Sequence, residues 1–533
     1  MKSYLSGERQ KWINLGLFTF SLVPLVFYFF CVIQRIQMPF ALEWGESAGI
    51  NQILQLLSGE RLYDAPNLEF TPLVYTPFYY WLASILGRVL GQVVFSSRLI
   101  SVIASIGATV VIVWLVREET RNALAGWLAG AVYLGCFSLS GGFYDLVRVD
   151  SLYIFLLLIT LAVMRETTRF GGMAVTGLLI ALGFYIKQSA LIVFFPLVAA
   201  YLFRSWEKSW PLIAATLLGI FMPFVWLNSS SDGWFAYYIF QLPREHGYSI
   251  IDAVKFWVAD LLRPLGIAIG FGFLSILSIK NGDIPFKGED AGDNGPEKDF
   301  FSRDVFYALF AVGAVGAAWI TRSSNGGGAN NVMSAYAAVS LLFGLGFGKA
   351  YGLINEEGGH RDAYKMIIPI LAAMQLLVLT YNPFDYIPTA AEVEANALLF
   401  SRIEEVEGSV WVPYQSHLNR LAGKPPTIHA VNLFEMTGYF KGDVLPEGIE
   451  IVNGIRKNIC NQTYGLIVLD QPVPWALDQI SYAYQMDYEF TYMDRERRSA
   501  LLDWQGGFKA VYLPRLDYDL NACMNTISSD RTD

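Results

Sequence analysis

Residues Ala41–Tyr63 read ALEWGESAGINQILQLLSGERLY and directly follow the first long apolar run, Trp12–Ile33. Glu43 and Glu46 stand where a chain leaving a membrane would first meet water. A short amphipathic pattern then leads to Gly59 and Tyr63. The flanks Phe40, Ala41, Leu42 and Trp44 are apolar, which argues for a site at the membrane boundary. The plainer alternative is a pair of solvated loop carboxylates.

The rest of the chain supports the membrane reading. Of 533 residues, 54% are hydrophobic and 16% charged, with a mean hydropathy of +0.38. Soluble domains carry about 25% charged residues. Apolar runs of ~17–25 residues recur, the length a spanning helix needs. Trp12–Ile33 is too long for a signal-peptide core, and no small-residue cleavage site follows. Lys2, Arg9 and Lys11 precede it and put the amino terminus inside. Further spans are expected over 94–116, 122–139, 151–164, 172–186, 188–203, 210–228, 257–279, 303–320, 332–349 and 366–381. Basic residues such as Arg117, Arg121, Arg165, Arg204 and Lys349 then fall on one side, as the positive-inside rule requires. The aromatic run from Tyr75 to Leu90 reads as interfacial, because counting it as a span would put those basic ends outside. Lys280–Phe301 reads as a flexible inner loop.

From Asn382 onward there are 21 acidic and 12 basic residues, so the tail carries the net charge of −9 and the rest is balanced. No basic block suggests nucleic acid. Short strand patterns at Val410–Pro413, Gly465–Leu469 and Ala510–Leu513 alternate with helical ones at Ala391–Glu407 and Trp475–Met486. The expected fold is an α-helical polytopic membrane protein of about eleven transmembrane helices with a C-terminal extracytoplasmic α/β domain. Residues 1–381 form the membrane part, with the outer loop 34–73, and 382–533 the soluble domain. Cys460 and Cys523 can pair if the tail lies outside the cytoplasm, while Cys31 and Cys136 lie in apolar runs.

Ionisable residues near membrane depth are costly and read first as functional. Glu43, Glu46, Asp145, Arg148, Asp150, Lys187, His246 and Arg322 all fall at outer helix ends in this topology. Two carboxylate-bearing loops beside basic side chains make a candidate acid/base and phosphate site. Each residue also has a plain reading. Asp150 is placed to cap a helix, Lys187 to snorkel, His246 to serve as a loop residue and Arg322 to anchor a helix end.

These pieces resemble a family. The first-loop carboxylates, LLSGERLY, YTPFYYWLASILG, YDLVRVDSLYIFLLL, LGFYIKQSALIVFF, SSNGGGANNVMSAYAA and VWVPYQSHLNRLAGK, in that order, are similar to segments of the C-type (GT-C) polytopic glycosyltransferases. That superfamily includes the protein O-mannosyltransferases and the aminoarabinose transferase of lipid A. The resemblance implies inverting transfer of a sugar from a polyprenyl-phosphate donor to a hydroxyl on a glycan, lipid or protein at the outer face of the membrane. It points to a bacterial plasma-membrane protein. The family base is usually the Asp of an Asp-Glu pair. Here the pattern is Glu-Trp-Gly-Glu, so the position falls on Glu46, with Glu43 as the alternative. The second-loop acid maps onto Asp150, and Lys187 and Arg148 fall to the donor phosphate. Asp145, His246 and Tyr63 complete the candidate substrate-binding set. A divalent cation, if used, is expected on Asp150 and Glu46. A lipid-linked-sugar flippase and a glycan-binding scaffold are the competing classes. The first lacks its usual repeated halves here, and the second leaves the first-loop carboxylates unexplained.

Overall fold

A computed structural model describes residues 2–167, 170–277, 302–355, 364–438, 444–487, 492–493 and 508–529. The expected inner loop 280–301 lies outside the described residues. Helix α1 (Lys2–Arg35) leads out of the bundle and ends at the first loop. Next come α2 (Trp44–Leu57), α3 (Phe78–Leu90), α4 (Val93–Thr120) and α5 (Ala123–Gly135). They are followed by α6 (Val149–Glu166), α7 (Phe170–Ile186), α8 (Ala190–Arg204) and α9 (Trp206–Ser230). Long helices over Ile250–Leu277, Arg303–Ser323 and Ala329–Gly352 complete the bundle with Tyr364–Val378.

The chain is an integral membrane protein. Among the described residues six helices are long and apolar enough to cross a membrane, or seven if the bent pair Met366–Val378 and Pro383–Glu405 is one span. The sequence pattern suggested about eleven. The difference lies in helices such as α5, α7 and α8, which have 13, 17 and 15 residues. A helix rises 1.5 Å per residue, so 13 residues reach only about 20 Å of a ~30 Å hydrocarbon core. Helix α5 is instead walled in by protein, with Leu128, Ala129, Val132 and Tyr133 fully buried. Helix α3 is equally short, starts after Pro77 and stops at the left-handed Gly91. Its Ile85 and Val89 are exposed.

One stripe of α4 organises the two carboxylate-bearing loops. Arg98, Ser101 and Ser105 recur at helical spacing and are fully buried. Ser101 Oγ donates to the Leu146 carbonyl at 2.6 Å and Ser105 Oγ to that of Tyr144 at 2.7 Å. Helix α2 then lies against the same second loop. An added Cβ at Gly49 would come within 2.6 Å of the Val147 carbonyl oxygen. Only glycine permits that approach without a backbone shift. We expect Gly49→Ala to lower stability by about 1–3 kcal/mol, the range for overpacking. The unfolding midpoint in detergent measures it, and an unchanged midpoint would mean that the loop yields freely.

The tail builds a small sheet. Its strands are β1 (Ser409–Trp411), β2 (Tyr464–Leu469), β3 (Tyr484–Met486), β4 (Tyr492–Met493) and β5 (Phe508–Pro514). The order is β1-β2-β5-β3, with β4 also on β5; β1 and β2 are parallel and the other pairings antiparallel. Three strands coincide with the apolar runs read from the sequence. Residues 484–486, read there as the end of a helix, extend instead because β5 offers them a ladder. Cys460 and Cys523 form a disulfide. A capping box, Thr389 with Glu392, starts the helix Ala390–Glu405.

The tail also grips α2. His417 Nδ1 lies 2.8 Å from Ser47 Oγ, both buried, and the Ile428 amide donates to the Leu68 carbonyl at 2.9 Å. Arg420 reaches Gln55 and Glu60. The segment that carries Glu43 and Glu46 is therefore clamped between the helical bundle and the tail.

Candidate active site

Glu46 and Glu43 are three residues apart, yet their surroundings differ completely. Glu46 is in the first turn of α2 and fully buried. Its Oε1 accepts from Arg98 Nε at 2.8 Å and the Val147 amide at 2.9 Å; its Oε2 accepts from Arg98 Nη2 at 2.8 Å and the Leu42 amide at 2.6 Å. A carboxylate has about four lone-pair sites, so all are taken. Burial pushes this carboxyl up, but Arg98 and the hydrogen bonds outweigh it and hold it below the ordinary range. Glu46 does not line the cavity.

Glu43 does. It is the N-cap of α2, with extended backbone and a side chain that accepts from the Glu46 amide at 2.9 Å. Only 12% of its side chain is exposed, and Arg148 Nη1 lies 3.4 Å away. Burial raises its carboxyl above the ordinary value, and Arg148 with two backbone amides offsets this only in part. Gly45 makes the pairing possible, since a Cβ there would strike the Arg148 guanidinium.

Arg148 links both carboxylate loops, because its Nε also lies 3.9 Å from Asp150 Oδ2. Asp150 is in the first turn of α6 and 1% exposed. It accepts from Lys187 Nζ at 2.8 Å and from Asn330 Nδ2 at 3.1 Å. Lys187 sits in the turn between α7 and α8 and also donates to Asn331 Oδ1 at 2.9 Å. Glu43, Arg148, Lys187, Asn330 and Asn331 all face one cavity of about 700 Å³, within the range of small-ligand sites. Asp150 stands behind Lys187 and does not reach the wall.

The remaining candidates divide. His246 lines the cavity and pairs with Glu435, a residue of the tail. Burial alone lowers its imidazole, but the Glu435 carboxylate outweighs that and raises it. A π-helical turn, Tyr237–Gln241, precedes it and presents Ile239 and Phe240 to the cavity. Asp145 is buried 3.0 Å from Arg35 Nη2 and away from the wall. Tyr63 is buried too; its hydroxyl donates to the Tyr75 carbonyl at 2.8 Å and so supports a residue that does line the cavity. Arg322 holds Asp260 at 3.0 Å and the Gly327 carbonyl at 2.9 Å, bracing the glycine-rich loop.

Glu435, Asn330, Asn331 and Arg98 were not singled out by sequence reasoning. An arginine inside an apolar helix, FSSRLISVIAS, was a visible signal for the last. Nothing local marks Glu435. The expected cation site does not fit: Glu46 and Asp150 face separate partners, and a metal at Asp150 would meet the Lys187 ammonium. No group of three or more potential ligands occurs among the described residues.

With this geometry established, residues 74–227 match the family model described as dolichyl-phosphate-mannose-protein mannosyltransferase. No curated protein matches the chain. The structure is similar to ArnT from Cupriavidus metallidurans in the apo state, at 13% identity and a TM-score of 0.57, over 93% of this chain and 97% of that one. It is similar to the same protein bound to undecaprenyl phosphate, at 12% identity and a TM-score of 0.57 with the same coverage. The fold is therefore that of the C-type polytopic membrane glycosyltransferases, the superfamily that the ordered sequence segments resemble.

Proposed function

We propose that the protein transfers a sugar, with inversion, from a polyprenyl-phosphate carrier to an acceptor hydroxyl. The observation that carries this reading is a cavity with a buried carboxylate, Glu43, facing two fixed cations, Arg148 and Lys187. Glu43 takes the proton of the acceptor hydroxyl as its oxygen bonds to the anomeric carbon. The bond from that carbon to the phosphate oxygen breaks, and the polyprenyl phosphate leaves with the electron pair. Lys187 and Arg148 stabilise the departing charge. Asp150 and Asn331 hold Lys187 in place. The Cys460–Cys523 bridge agrees with a tail on the oxidising side of the membrane, which would open the cavity to the outer face.

The test is purified protein in nanodiscs with radiolabelled polyprenyl-phosphate sugars. Release of label from the carrier supports the reading; no release and no binding of polyprenyl phosphate by the intact protein removes it. Lys187→Gln keeps a hydrogen-bond donor for Asp150 and loses the charge. We expect it to weaken polyprenyl-phosphate binding at least tenfold, as loss of a charge-assisted contact should. Unchanged binding would free Lys187 from that role.

A further inference from the structure

The Trp44 and Phe434 rings pack with centroids 6.1 Å apart, and Tyr414 flanks Trp44 at 6.5 Å. Each of the two packed rings adjoins in sequence a carboxylate that lines the cavity: Glu43 precedes Trp44, and Glu435 follows Phe434. The ring contact therefore brings a carboxylate of the tail to the end of the cavity that holds Glu43. His246 meets Glu435 there, with 15% and 10% of their side chains exposed. The His246 loop is itself fastened to the glycine-rich loop, since Tyr248 and Ser324 form a β-bridge and the Asn325 amide donates to the Gly247 carbonyl at 2.9 Å.

We propose that Glu435, His246 and the Trp44 ring form an acceptor subsite for a neutral saccharide. This rests on the glycosyltransferase reading above. The reacting hydroxyl is held by Glu43, a second hydroxyl of the same sugar donates to Glu435, and the C–H face of the sugar lies on Trp44. A carboxylate accepts several hydroxyl donors, and the indole supplies apolar area with few torsions to freeze. Charge favours a neutral acceptor. Glu43 pairs with Arg148, Asp150 with Lys187 and Glu435 with His246, so each cation of the site already has its own carboxylate and the donor phosphate adds uncompensated negative charge that repels an acid. A peptide acceptor would commonly be held along a strand edge, yet among the described residues none of β1 to β5 lines this cavity.

The test compares methyl glucoside and methyl glucuronide as acceptors for the labelled polyprenyl-phosphate sugars, in wild type, Glu435→Gln and His246→Gln. Wild type should glycosylate the glucoside and not the glucuronide. Glu435→Gln should raise KM for the glucoside at least tenfold and narrow the preference against the glucuronide. Its affinity for polyprenyl phosphate should stay within twofold, which also controls for folding. An unchanged KM in Glu435→Gln overturns the subsite, as does equal use of both glycosides by wild type. A wild type that releases sugar from the carrier but glycosylates neither probe also overturns it. A wild type that neither binds the carrier phosphate nor releases its sugar instead removes the underlying reading.

Discussion

Glu43→Gln should lower sugar transfer by about 10²- to 10⁴-fold, the usual contribution of a positioned general base. The protein should remain folded, because the glutamine carbonyl can still accept from the Glu46 amide and cap α2. The change is confined to basicity and charge next to Arg148. Label transfer and the detergent unfolding midpoint, measured together, separate the two effects. A folded variant with transfer within twofold of wild type would end the assignment of Glu43 as base.

The same residue sets a pH dependence. A base works ionised, so the rate is held above its pKa and falls as pH drops through it. Burial raises the Glu43 carboxyl, so this acid limb should begin above that of a solvated glutamate, about 4.3. In Glu43→Gln the residual rate should lack the limb. The sign for stability is opposite. A raised carboxyl favours the folded state at low pH, and that contribution is lost as pH rises through the folded value. The ionised base is thus held at a small cost to the fold.

The membrane character and the segments Glu43–Glu46, Arg148–Asp150 and Lys187 were legible because apolar periodicity and charge at helix ends are local signals. The choice between Glu43 and Glu46 was not. Both belong to the same helix start, and their roles diverge only because Arg98, fifty-two residues later, captures Glu46. The apolar runs at α5, α7 and α8 were legible too, but an apolar run reads alike whether lipid or protein surrounds it. Glu435 escaped notice because its place depends on the packing of Phe434 against Trp44 across most of the chain.

Glu46→Gln should damage folding rather than chemistry. Arg98 uses all five of its N–H donors: Nε and Nη2 on Glu46, Nη1 on the carbonyls of Arg35 at 2.7 Å and Met38 at 2.8 Å, and Nη2 also on that of Phe40 at 2.8 Å. Together with the Leu42 and Val147 amides on Glu46, this knot ties α1, the first loop, α2, α4 and the second loop. A glutamine must turn its amide group toward a donor at one of these positions. It also leaves the buried Arg98 charge without its partner, and breaking such a pair costs about 3–5 kcal/mol. Replacing both residues with leucine should not restore stability, since the two amides and three carbonyls would be left buried and unpaired at about 1–3 kcal/mol each. The Glu46 carboxyl is lowered, so its contribution is present above the unfolded value and lost as pH falls through the folded one. The decisive measurement is the unfolding midpoint of Glu46→Gln beside that of Glu43→Gln. A Glu46→Gln protein as stable as wild type but inert would return the base to Glu46, whereas an unstable Glu46→Gln beside a stable, inert Glu43→Gln assigns the knot to one residue and the chemistry to the other.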